Sequence, residues 1–334
     1  LLQALYGIKK NYASKERNFI VSPFSTISSG YDSAAVSSMV RKIDVKECFT
    51  SRKCSSILPT WLSPRLANDD GLPIARQLGF KTQYLNTSSI SESELNFLAA
   101  SCAAPELVFH DMAKFIELKC QASVVFTGAD GGRIWDVHVK AEDKDDEIKR
   151  RDVSNFNLSE IRLKAGFIQV GLPFMYARNL KDIVNISRSE EMKPWRLKNE
   201  YDKPIARRIV EEAGVGRKLF GARKKAVTKY YSYPKNITLR RKFFEFLKQE
   251  YNISPLVVYA HDVFIGLPAQ FAMGVFYYAG LRSIIDRNYR PGLNYSRLMS
   301  AWATNLLADK TAAKLKWPLL NREFSDDIKE KFIS

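Results

Sequence analysis

Histidine and cysteine are both scarce in this sequence, and their spacing excludes several chemistries. The three histidines, His110, His138 and His261, are too far apart for an HExxH or other metal-ligand pattern, so each is read as a surface or satisfied core residue. The four cysteines, Cys48, Cys54, Cys102 and Cys120, match no CxxC zinc pattern and are too few for a disulfide framework in a chain of 334 residues. Reduced thiols and a cytoplasmic location are therefore expected. No internal repeat or low-complexity tract is apparent. A single stretch, Val263 to Leu281, carries no charged residue and is almost long enough to span a bilayer, but Pro268, Gln270 and three glycines interrupt it. It is expected to be a buried segment of a helical region, and no membrane partner is expected. The sequence opens at Leu1, and what precedes it is left open.

The residues that are present describe an ordinary globular composition, 46% hydrophobic and 26% charged, with ample length for a sizeable core. The charge is not balanced. Lysine and arginine number 52 against 36 acidic residues, a formal charge of +16, which favours anionic partners such as nucleotides or nucleic acid.

Apolar spacing predicts a short amphipathic helix over residues 1–12, and strand segments at 19–21 and 24–27 separated by Pro23. A helix over 33–42, a strand at 45–49, a helix at 74–78, a strand at 82–85, helices at 92–102 and 108–119, and a buried strand at 123–126 follow. This alternation predicts an α/β fold with a parallel, doubly wound sheet. Residues 140–153 carry charge of both signs without apolar periodicity and read as a linker or a lid. Helical segments at 204–213, 239–250 and 295–307 mark a mainly helical C-terminal region. The division expected is a nucleotide-binding α/β domain over 1–139, the charged linker, and the helical region over 154–334.

Three segments carry chemistry. The first, Ile27-Ser28-Ser29-Gly30-Tyr31-Asp32-Ser33, is a small-residue turn between strand and helix, where backbone N–H groups and the helix dipole face an anion, by default a phosphate. It lacks the Gly-Lys-Ser/Thr ending of a Walker loop, and Asp32 suits a metal- or water-bridged contact better than a lysine clamp. The second, Thr127-Gly128-Ala129-Asp130-Gly131-Gly132, follows the buried strand, and Asp130 in a glycine-rich turn suits a divalent ion. The third runs from Glu200 to Ala226. Pro204 opens a short amphipathic helix, Gly214 closes it, and Arg223, Lys224 and Lys225 concentrate positive charge beyond it. The aromatic cluster Tyr230, Tyr231 and Tyr233 beside these lysines has the chemistry to stack bases, and more commonly packs a helical region.

Ser28-Ser29-Gly30-Tyr31-Asp32-Ser33 resembles the SGGxDS loop of the PP-loop ATP pyrophosphatases, with Ser29 in place of the first glycine. The second segment resembles the TGDGGDE segment of asparagine synthetases with one residue inserted and the later acidic pair missing. The third resembles the end of the same synthetase domain. The resemblance covers about residues 19–226 and implies an adenine nucleotide alpha-hydrolase-like fold. It further implies an enzyme that adenylates a carboxylate or amide oxygen with ATP and releases pyrophosphate, after which a nitrogen nucleophile displaces AMP. On this resemblance Ser28, Ser29, Gly30, Asp32, Ser33 and Gly128 bind ATP and its pyrophosphate, and Asp32 and Asp130 hold Mg2+, with Asp136 as a further candidate. Lys225 and Arg223 are the catalytic cations, with Lys224 as the alternative. No glutaminase domain is visible, so ammonia or another amine comes from elsewhere, such as a partner subunit. Two other readings remain open: a tRNA- or deazaguanine-modifying PP-loop enzyme, although the four-cysteine zinc site of the latter is unmatched, and a non-catalytic nucleotide-binding subunit.

Overall fold

The computed structural model describes residues 1–52, 69–85, 94–100, 109–138, 162, 165–197, 201–221, 233–234, 236–266, 268, 272 and 296–314. The amphipathic N-terminal segment forms helix α1 (Leu2–Tyr12), anchored by the buried Leu5. Strand β1 (Val21–Thr26) leads through the small-residue turn into α2 (Tyr31–Arg41). Then come β2 (Glu47–Thr50), α3 (Leu72–Gln77), β3 (Lys81–Tyr84), α4 (Glu94–Ala100), α5 (Phe109–Lys119) and β4 (Ala122–Thr127). A single helical turn, α6 (Gly131–Ile134), precedes β5 (Phe167–Gly171). The described residues beyond β5 form helices: a 3-10 segment over Leu172–Asn179, α7 (Leu180–Arg188), α8 (Pro204–Glu212), α9 (Ile237–Tyr251), α10 (Pro255–His261) and α11 (Ser296–Lys314).

The sheet of the described residues has five strands in the order β3-β2-β1-β4-β5, every neighbouring pair parallel. From β1 the chain moves outward on one side through β2 and β3, then returns to the other side of β1 as β4. The β1/β4 boundary is thus the topological switch point, the place where open α/β sheets bind their ligands. Both faces are covered, as a parallel sheet requires. Val124, Phe126, Ile27 and Cys48 join one core with α2, α3 and α8, while Phe24, Phe49, Val125 and Phe167 join another with Met112, Ala113 and Ile116 of α5. Helix α2 lies close on the sheet because its inner residues are small: Ala34, Ala35, Ser37 and Ser38 are all buried. The buried hydroxyls of Ser25 on β1 and Ser37 on α2 satisfy each other at 2.9 Å. Leu98, Phe243, Leu247, Val258, Met299 and Trp302, from α4, α9, α10 and α11, form a further cluster.

Several expectations need correction. Pro23 does not divide two strand segments, because β1 runs through it as one strand. Pairing to β2 begins only at Phe24, so Pro23 sits where β1 is paired on one side and its missing N–H costs the ladder least. Strand β5 was not expected at all. It pairs with β4 from Ser123↔Phe167 to Thr127↔Gly171, so the sheet continues past the boundary drawn at residue 153. At the start of the stretch expected to be buried, Val263 and Phe264 are instead 52% and 77% exposed. The remainder of that stretch, apart from Ile265, Gly266, Pro268 and Ala272, lies outside the described residues, as does the charged linker 140–153. Among the described residues, no helix is long and apolar enough to cross a membrane. Cys48 and Cys120 are free thiols, and burial pushes the Cys48 thiol up to about 11, which leaves it protonated and inert.

Phe126 is fully buried at the centre of the sheet. Phe126→Ala is expected to cost about 3–5 kcal/mol in urea unfolding followed by circular dichroism. A loss below about 1 kcal/mol would place Phe126 outside the cooperative core.

Candidate functional site

The first loop is built by its own hydroxyls. Ser28 N–H donates to Ser33 Oγ at 3.0 Å, the Ser28 and Ser33 hydroxyls lie 2.8 Å apart, and Gly30 N–H donates to Ser28 Oγ at 3.2 Å. Gly30 is the N-cap of α2, which places Asp32 in the first helical turn, where the helix dipole favours a carboxylate. Ser29, at the position that departs from SGGxDS, donates its backbone N–H (3.1 Å) and its hydroxyl (2.8 Å) to Oδ1 of Asp69.

The second loop closes on the first across the switch point. A Cβ at Gly128 would lie 2.6 Å from the Asp32 carbonyl carbon and from the Ser33 nitrogen, so only glycine permits this approach. A Cβ at Gly131 would overlap the Asp32 carboxylate itself. Asp130 between them takes a left-handed backbone, φ 62°, which is uncommon for a residue with a side chain and turns the chain sharply into α6. Ser28, Ser29, Gly30, Asp32, Ser33 and Gly128 are thus brought together, with Asp130 in the adjoining turn. Asp136 accepts from His138 N–H at 3.0 Å, a local turn contact. Arg223, Lys224 and Lys225 lie outside the described residues, although Gly221, two residues before Arg223, donates its N–H to Ser29 O at 2.9 Å.

The cation in the site is one that sequence reasoning missed. Lys203 is 2% exposed, and its ammonium donates to both carboxylate oxygens of Asp32, at 2.8 and 2.6 Å. Asp32, expected to make a metal- or water-bridged contact, is thus also the ion-pair partner of a buried lysine. The Lys203 ammonium also lies 5.1 Å from the centre of the Tyr201 ring, and a Cβ on Gly132 would sit 3.6 Å from it. A local signal for Lys203 was present in the sequence. It occupies the N-cap of α8, just before Pro204, where small polar residues are favoured and the dipole disfavours a cation. Residues that break a local rule in this way are expected at functional or strained positions.

Helix α8 is keyed to α2 by a second pair one turn further on. The Arg207 guanidinium lies over the fully buried Tyr31 ring at 5.3 Å, donates to its hydroxyl, and contacts Glu211 at 3.5 Å. Tyr31 also packs against Tyr201, with ring centres 5.0 Å apart, and against Phe220. Asp202 is fixed in turn, accepting from Arg196 Nε at 3.0 Å and from Leu197 N–H at 3.1 Å. Burial pushes the Tyr201 phenol well above its ordinary value near 10, and the Asp32 charge adds to this; burial also raises Tyr31, opposed by Arg207.

Among the described residues, no group of three or more His, Cys, Asp or Glu side chains is arranged to hold a metal ion. That composition still suits magnesium, which takes one or two protein carboxylates and completes its shell with phosphate oxygens and water. Asp32, at the junction of the two turns, has the carboxylate chemistry for this role.

Lys203→Met leaves the Asp32 charge without its cation and is expected to cost about 3 kcal/mol of stability, most of which Asp32→Asn/Lys203→Met recovers. A double-mutant cycle in urea checks this, and additive losses would overturn the coupling. For the phenols, a raised pKa in the folded state means that the unfolded chain releases its proton first as pH rises past about 10. Stability is therefore expected to fall above that pH, and to fall less steeply in Tyr201→Phe. Parallel slopes for the two proteins in unfolding from pH 9 to 11.5 would contradict the assignment.

No protein-family model matches the chain, and no curated protein matches it either. Its functional reading therefore rests on the two loops, the buried lysine and the topology that joins them.

Proposed function

We propose that this chain is an ATP-dependent adenylating enzyme of the PP-loop type, with an adenine nucleotide alpha-hydrolase-like fold. The observation that carries the reading is the meeting, at the β1/β4 switch point, of a serine- and glycine-rich strand-to-helix loop with a second glycine-rich turn, around the Asp32–Lys203 pair. A ligand is favoured at this switch point by topology, and a phosphate by the loop's N–H groups and dipole. A carboxylate or amide oxygen of the acyl substrate attacks the α-phosphorus of ATP. The bond from that phosphorus to the bridging oxygen breaks, pyrophosphate leaves, and an acyl adenylate or its imidate equivalent remains. A nitrogen nucleophile then adds at the activated carbon, gives up its proton, and expels AMP.

Each residue has a part in this scheme. Ser28, Gly30 and Ser33 hold the pyrophosphate portion, Gly30 through its backbone N–H and the two serines through hydroxyls that turn from one another toward the ligand. Gly128 and Gly131 let the second turn approach it. Lys203, oriented by Asp32, supplies the positive charge that stabilises negative charge gathering on the leaving group, so the central cationic role passes to it. Arg223 and Lys225 remain proposed as accessory cations. Magnesium, when bound by Asp32 with Asp130 adjoining, supplies charge neutralisation on the phosphates.

A second reading, a nucleotide-binding subunit without turnover, is favoured by one observation: Ser29 stands where the loop motif has glycine, and Asp69 already occupies its amide. Incubation with α-labelled ATP, magnesium and a panel of amino acids with ammonia separates the two. AMP and pyrophosphate are expected, with rates lowered about 100- to 1000-fold in Asp32→Ala and Lys203→Ala. Unchanged turnover in Asp32→Ala would sink the site assignment. Tight ATP binding without AMP release across the panel would favour the second reading.

A further inference from the structure

Three backbone amides of the first loop are the natural donors to an anion, and all three already have acceptors within the protein. Ser28 N–H and Gly30 N–H donate to neutral hydroxyls, those of Ser33 and Ser28. Ser29 N–H donates to a charged group, the Asp69 carboxylate, and the Ser29 hydroxyl binds the same oxygen. The two kinds of acceptor differ in what an incoming polyphosphate meets. A hydroxyl rotates away, whereas a carboxylate repels the ligand whether it stays or turns aside.

Asp69 is not a casual neighbour. Its N–H donates to Arg52 O at the end of β2 at 3.1 Å, and the next residue, Asp70, forms an antiparallel bridge with Ser28. Asp70 in turn accepts from Leu72 N–H and from the Tyr84 hydroxyl, both at 2.9 Å. Gly71 N–H donates to Thr50 Oγ1 at 3.0 Å, and a Cβ there would lie 2.8 Å from the Ile27 carbonyl carbon and oxygen. The backbone of residues 69–71 is thus stapled to the ends of β1 and β2, which holds the Asp69 carboxylate at the loop. The second bond to this carboxylate exists because residue 29 is serine; a glycine has no hydroxyl to offer.

We infer that Asp69 is a specificity-determining residue, whose carboxylate at the Ser29 amide makes the loop admit polyphosphate as a magnesium complex in preference to the bare anion. Fixed negative charge at the Ser29 amide penalises a ligand in proportion to the ligand's own charge. Magnesium removes two charges from pyrophosphate, so the complexed ligand meets less repulsion. This rests on the reading above that the loop holds the pyrophosphate portion of ATP.

Calorimetric titration of the full chain with sodium pyrophosphate, with and without magnesium chloride, tests it in the native protein, Asp69→Asn and Ser29→Ala. Asp69→Asn is nearly isosteric and keeps an acceptor. It is expected to raise affinity for bare pyrophosphate about tenfold and for the magnesium complex less, so that the preference narrows. Ser29→Ala moves in the same direction by a smaller factor. In thermal melts, Asp69→Asn melts lower without ligand and gains more from pyrophosphate than the native protein does. An unchanged preference in Asp69→Asn overturns the inference while leaving the loop assignment intact. Affinity that falls only in magnesium makes Asp69 a metal ligand instead, and also overturns it. Failure of all three proteins to bind pyrophosphate in either condition removes both the inference and the reading of the loop.

Discussion

The arrangement of this molecule depends on a buried lysine and the carboxylate that holds it. An ammonium removed from water is costly, and Lys203 is tolerated because Asp32 accepts from it with both oxygens and the Tyr201 ring lies beside it. The pairing sets strict terms for the rest of the chain. Asp32 must lie in the first turn of α2, so the loop before it must be short and small. Lys203 must lie at the start of α8, so α8 must pack on α2. The Arg207–Tyr31 contact and the burial of Ala206 and Val210 against the core containing Ala34 and Ala35 meet that requirement.

Glycines do the complementary work. Gly128 and Gly131 bring the turn after β4 to van der Waals range of Asp32, and Gly221, at φ 67°, does the same at the Tyr31 ring. Each place where a side chain would collide is a place where two loops share one site. The cost in chain entropy is accepted there, and the rigid elements on either side limit it.

Legibility in the sequence followed the locality of the signal. The strand–turn–helix at residues 21–41 was readable because its apolar alternation, small turn and helix spacing all lie within twenty or so consecutive positions. The turn after β4 was readable for the same reason, and with it six of the loop residues that the fold brings together. Strand β5 was not, since five residues of alternating burial give little periodicity. Lys203 is harder to see, because the resemblance to the synthetase domain points to Arg223 and Lys225, whereas the mark of Lys203 is only a single lysine in a position that helices disfavour. Asp69 had no local mark at all. Its role comes from the bridge between Ser28 and Asp70, a contact across 42 residues that only the folded chain defines.

The spacing of the site along the chain also fixes when it comes into being. Asp32 and Lys203 are separated by 171 residues, and all five strands of the described sheet lie before Lys203. At ordinary rates of synthesis, on the order of 5–20 residues per second, the first loop is made roughly ten to thirty seconds before its lysine. A nascent chain therefore carries the loop and its sheet through a period in which Asp32 has no ammonium partner and α2 has no α8 to cover it. The Asp32–Lys203 pair is completed only once α8 has been made and packs on α2, and any truncation ahead of residue 203 leaves Asp32 without that partner.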